Sequence, residues 1–188
     1  MMISTIISEH LSIIEKLHHT GLGDIQLFAE LCITGLKRGN RLYLMGNGGS
    51  AADCQHLAAE FIGGFQRIHK GLPAIALTTD TSILTAVGND YGFNTIFTRQ
   101  IAALVTAGDI VIGLSTSGNS ENIIQAMHLA QEIGAVTIGL TGHDGGMLKN
   151  SCDLCIQVPC NTAPRIQEAH ILIGHIVCEF VNEVFNNA

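Results

Sequence analysis

Apolar residues near the start of the chain recur with a helical period. Ile3, Ile6, Ile7, Leu11, Ile14 and Leu17 share one face between about residues 2 and 19, and Ile25, Phe28, Leu31 and Leu36 do so between about 24 and 38. This spacing predicts two helices ahead of the first strand. Short apolar runs then take over at 41–45, 73–78, 109–114, 135–140 and 153–158, separated by segments of helical length. Strands alternating with helices in this way predict a parallel sheet covered on both faces. A last helical pattern, from about 165 to 185, buries Ile166, Ile173, Val177 and Val181. The expectation is a three-layer α/β/α sandwich on a five-stranded parallel sheet with N-terminal helices. No linker, low-complexity tract or repeat interrupts residues 1–188, so one domain is expected.

Composition narrows the function classes. Nine Lys and Arg face sixteen Asp and Glu, a net charge of −7 over 188 residues, and no basic block offers a footprint for a phosphate backbone. Nucleic acid is not an expected partner. His175 and Glu179 break the C-terminal apolar run, and the Met-Met-Ile-Ser-Thr start lacks a basic region, so neither a membrane span nor a secretory signal is predicted. Six cysteines without the spacing of a small secreted scaffold read as reduced thiols of a cytoplasmic protein. Cys152 and Cys155 have metal-finger spacing but no second pair nearby, and they open an alternating, strand-like run.

Two segments share one design. Leu44-Met-Gly-Asn47-Gly48-Gly49-Ser50 and Gly113-Leu-Ser115-Thr116-Ser117-Gly118-Asn119-Ser120 each pass from an apolar strand through a Gly/Ser/Asn loop into a helix. Such loops sit at the carboxyl ends of parallel strands, where ligands bind. Glycine lets several N–H groups turn toward one point, and a helix N-terminus adds unpaired donors and a positive dipole end. Ser120 alone reads as an ordinary N-cap. Four hydroxyls within six residues, at 115, 116, 117 and 120, exceed what capping needs and suit a phosphate monoester. Gly46-Asn-Gly48-Gly-Ser-Ala51 formally fits a dinucleotide fingerprint, but residues 66–71 lack the acidic group expected about 20 positions on. Neither loop ends in the Gly-Lys-Ser/Thr of a nucleotide P-loop.

Acid, base and metal chemistry has its candidates on two helices. His56 and Glu60, at i and i+4, project from one face. Gln167 and His175, at i and i+8, lie about 12 Å apart along a helix axis. These are ligand types for a divalent metal, or else hydrogen-bonded core residues. The 12 Å rise leaves two routes to a shared ion. Either the last helix starts late, near Ala169, or the site gathers side chains from more than one subunit.

Taken with Gly88-Asn89-Asp90-Tyr-Gly-Phe93, Thr141-Gly-His-Asp-Gly-Gly146 and Arg165-Ile-Gln-Glu-Ala-His170, these motifs resemble the phosphoheptose isomerase branch of the sugar isomerase (SIS) superfamily over nearly the whole chain. The resemblance implies a flavodoxin-like sheet, a homotetramer with active sites between subunits, and conversion of sedoheptulose 7-phosphate to D-glycero-D-manno-heptose 7-phosphate, the entry to ADP-heptose and typically the lipopolysaccharide core. It places Asn47, Gly48, Gly49, Asn89, Asp90, Ser115, Thr116, Ser117 and Ser120 around the substrate. It puts Zn2+ on His56, Glu60, Gln167 and His175, with Glu60 and Gln167 also touching substrate and Glu60 and His175 as the acid–base pair. Relatives usually carry Arg four residues after the Glu; here Gly64 stands there, followed by Arg67, His69 and Lys70. Rival readings are a DnaA initiator-associating adapter, which looks deficient in the acid–base pair, and an isomerase of another sugar phosphate.

Overall fold

The computed structural model describes residues 1–65 and 70–185. Five parallel strands, β1 (Leu42–Gly46), β2 (Ala74–Ala76), β3 (Ile110–Ser115), β4 (Val136–Gly142) and β5 (Leu154–Val158), form one sheet in the order β2-β1-β3-β4-β5. Seven α-helices complete the chain among the described residues: α1 (Met2–Thr20), α2 (Leu22–Lys37), α3 (Gly49–Gly63), α4 (Thr81–Tyr91), α5 (Thr98–Leu104), α6 (Glu121–Ile133) and α7 (Ala163–Phe185).

Side-chain alternation along the strands splits the core in two. Leu42, Leu44, Ile110, Ile112 and Leu114 join the helices α1, α2, α3 and α7 on one face. Tyr43, Met45 and Val111 join α5 and α6 on the other, where Ile123 and Met127 are fully buried. Because both faces are covered, the central strands read as continuous apolar runs.

The chain leaves β1 through α3 on one face and leaves β3 through α6 on the other. The two strands are neighbours, so their connections part at a topological switch point, the place where open α/β sheets bind ligands. Both Gly/Ser loops open there.

On the first face α3 and α7 run in parallel, and glycine sets their closeness. A Cβ on Gly174 would fall 2.4 Å from Leu57 Cδ2, and one on Gly49 would fall 2.7 Å from the Gln167 amide nitrogen. The late start near Ala169 is not what forms. Helix α7 begins at Ala163, because Pro164 fits the first turn, where its missing N–H is no loss.

Candidate functional site

The loop after β1 turns at Gly48, whose φ of 57° and ψ of −122° disfavour any residue with a Cβ. Asn47 then reaches across the switch point. Its amide nitrogen donates to Asn122 Oδ1 at 2.9 Å, and Asn122 returns a bond to Asn47 Oδ1 at 3.0 Å. Asn122, in the first turn of α6, is buried, so this reciprocal pair locks the two Gly/Ser loops together. The sequence pattern drew no attention to Asn122; an amide directly after a Ser-Glu helix start is the signal it offers. A cavity of about 180 Å³ opens beside the pair, lined among others by Asn47, Gly48, Thr78, Leu84 of α4 and Phe93.

Ser120 does not cap α6 with its side chain. Its Oγ lies 2.9 Å from Ser115 Oγ instead, so two of the four hydroxyls converge. The loop is braced from behind by the last residue of β4 and the segment after it. Gly142 N–H donates to the Thr116 carbonyl, Leu148 N–H to the Gly118 carbonyl, and Met147 N–H to Asn119 Oδ1. At Gly118, with φ +66°, a Cβ would fall 2.0 Å from the Gly145 carbonyl oxygen, so the two loops touch backbone to backbone. Asn89 and Asp90 stand exposed at the end of α4, hydrogen-bonded to each other and, among the described residues, to neither loop.

Two turns along α3 from Gly49 lies the second cluster. His56 Nε2 is 3.1 Å from Glu60 Oε1 and 3.4 Å from His175 Nε2. One donor atom from each of the three residues falls within a 4.8 Å group. Phe65 stacks on the His175 ring at 5.3 Å, and the two imidazoles meet edge to face at 4.9 Å. Asp53, one turn before His56, buries Oδ2 without a partner, and desolvation raises its carboxyl above the usual range against the opposing pull of His56. Asp53 was not singled out from sequence; its place on the Gly49–His56–Glu60 face is the signal.

A divalent metal suits these donors. Two nitrogens bound at about 2.0–2.1 Å in a tetrahedron stand about 3.3 Å apart, close to the separations found. Gln167 is not part of the group within one chain. Its amide lies against Gly49, and His175 sits about 12 Å farther along α7. Gly64, where the family resemblance implies Arg, ends α3 with φ 91°, and Arg67 and His69 lie outside the described residues.

A switch-point crevice flanked by two Gly/Ser loops, with a His–Glu–His cluster where α3 packs on α7, defines an α/β protein with a small-ligand site at the carboxyl ends of its strands. The SIS domain family model matches residues 7–142. Phosphoheptose isomerases of Geobacter metallireducens and Geobacter sulfurreducens are 52% and 56% identical, covering 96% and 91% of this chain and 96% and 90% of theirs. The structure of the phosphoheptose isomerase from Neisseria gonorrhoeae superposes with a TM-score of 0.92 at 41% identity, covering 96% of this chain and 97% of that one. The chain belongs to the SIS domain family and, within it, to the phosphoheptose isomerases.

Proposed function

We propose that the protein isomerises sedoheptulose 7-phosphate to D-glycero-D-manno-heptose 7-phosphate, feeding ADP-heptose synthesis, with Zn2+ as its metal. The observation that carries this reading is the layout of α3. Its N-terminus follows the Asn47–Gly49 loop, which Asn47 ties to Asn122 just after the Ser115–Ser120 loop, and Glu60, about three turns on, lies in the His56 and His175 cluster.

The Ser115, Thr116, Ser117 and Ser120 hydroxyls and the helix N-termini hold the phosphate. The exposed amide and carboxylate of Asn89 and Asp90 are left to meet sugar hydroxyls. Glu60 removes the C1 proton of the ketose and returns it to C2, an exchange between adjacent carbons that one carboxylate can serve. His175 moves the proton between the two oxygens of the enediol. His56, Glu60 and His175 would hold the metal, with Gln167 supplied by a neighbouring subunit as a further ligand; bound there, the ion would polarise the substrate carbonyl. Glu60 can serve as both ligand and base because its two oxygens differ. Oε1 faces His56, while Oε2 makes no hydrogen bond among the described residues.

Assembly as a homotetramer with shared sites is supported by two features. Gln167 lies far from its own chain's cluster, and α1 leaves apolar side chains such as Ile3 and Leu11 exposed at 76% and 62%. A cytoplasmic address is supported by six free cysteines. No helix among the described residues is long and apolar enough to cross a membrane. The acid–base cluster favours an enzyme over an adapter that keeps only the loops. The test is a coupled assay across C5, C6 and C7 ketose phosphates. Turnover of the C7 ketose at least about a hundredfold above the shorter ones supports the reading; preference for a shorter one, or no turnover of any, overturns it.

A further inference from the structure

We propose that His170 is a positioning residue for the phosphate loop, acting on it through two peptide planes in series. The inference rests on reading the Ser115–Ser120 loop as the phosphate cradle.

The His170 side chain is 0% exposed, on the inner side of α7. Its Nε2 lies 3.2 Å from the Thr141 carbonyl oxygen. That oxygen only accepts, so the proton of the neutral ring sits on Nε2. Thr141 C=O and Gly142 N–H belong to one peptide plane, and Gly142 N–H donates to the Thr116 carbonyl at 3.1 Å. Thr116 C=O in turn shares its plane with the Ser117 N–H. Peptide planes are rigid and trans here, so pinning the Thr116 carbonyl toward β4 aims the Ser117 N–H the opposite way. Among the described residues that N–H has no hydrogen-bond partner. The series thus runs from His170 to a free donor in the loop, and hydrogen bonds in such a chain polarise one another.

Two further facts distinguish this from plain packing. Burial holds the imidazole down to about 4, so at neutral pH it acts through a hydrogen bond and not through charge. Its Nδ1 is buried without a partner. A leucine would fill the space without desolvating that nitrogen, so stability alone favours an apolar residue here.

The test compares His170→Leu with His170→Gln, whose amide N–H reaches toward the place of Nε2. The readouts are KM and kcat for sedoheptulose 7-phosphate, the inhibition constant of inorganic phosphate, and bound zinc. Leucine is expected to raise KM and the phosphate inhibition constant about tenfold, with kcat and zinc content within about twofold, and glutamine to restore most of the loss. An unchanged phosphate constant in the leucine variant, or no restoration by a folded glutamine variant, overturns the inference. If the leucine variant does not fold, His170→Asn, whose shorter amide stops short of Thr141, replaces it under the same criteria. Ser120→Ala separates the two levels. If it leaves phosphate inhibition unchanged, the cradle reading falls and this inference with it; if it weakens inhibition while His170→Leu does not, this inference alone falls.

Discussion

Gly174 lies against Leu57 so closely that a methyl group at position 174 would sit 2.4 Å from Leu57 Cδ2. The residue after Gly174 is His175 and the one before Leu57 is His56, so this contact sets the 3.4 Å approach of the two imidazoles. Gly174→Ala forces α3 and α7 apart in a packed core, at a cost of about 1–3 kcal/mol. We expect a folded protein with lowered Tm, bound zinc well below one per chain and turnover reduced more than tenfold. Thermal unfolding together with metal analysis checks this; a destabilised variant that kept full zinc and full turnover would contradict it.

Glu60→Gln keeps the shape of the side chain and removes the proposed base. We expect turnover to fall by about three orders of magnitude or more, while sugar-phosphate affinity stays within a few-fold. Deuterium exchange at C1 of the bound ketose should vanish with it. Near-normal turnover in this variant would remove Glu60 from the role of base.

Gly118→Ala tests the loop-to-loop contact. The added methyl meets the Gly145 carbonyl at 2.0 Å in a backbone region that favours glycine, so the Ser/Gly loop must shift. The expected result is a KM raised about tenfold or more with metal content unchanged, since the proposed metal site at His56, Glu60 and His175 starts two turns down α3. Equal loss of zinc and of phosphate affinity would mean that the two halves of the site are not separable.

Burial holds His170 down to about 4, against 6.5 for the free side chain. As pH falls below about 6.5 the unfolded chain takes up a proton on this ring and the folded chain does not, so stability is lost on acidification. The loss reaches about 3 kcal/mol by pH 4 and is absent above pH 7. Urea unfolding of the parent and of His170→Gln between pH 7 and pH 4 should show the parent losing more. Parallel curves would refute the assignment.

The layers were legible because each rests on a local rule. Helical spacing announced α1 and α2, and continuous apolar runs announced the buried strands. The late start of the last helix failed because it was inferred from a supposed need to bring Gln167 and His175 together; Pro164 in the first turn was a better guide. The His56 and Glu60 pairing was legible as i, i+4, and its meeting with His175 needed the parallel packing of α3 on α7, which no local pattern reveals. Ser120 stands at the N-cap of α6 as its sequence context suggested, but its hydroxyl turns to Ser115. Asn122, Asp53 and the brace after β4 went unseen for the same reason: each gains its meaning from a neighbour distant in sequence.

Gln167 lies at Gly49, some 12 Å up the helix from His175, and the proposed sharing of the site between chains would make division of labour a genetic matter. Glu60→Gln chains still carry an intact Gln167, and Gln167→Ala chains still carry an intact Glu60. Either variant alone is expected to be inactive, but unfolding and refolding them together would rebuild a fraction of whole centres, each borrowing what the other lacks. Defective alleles of this protein would then rescue one another.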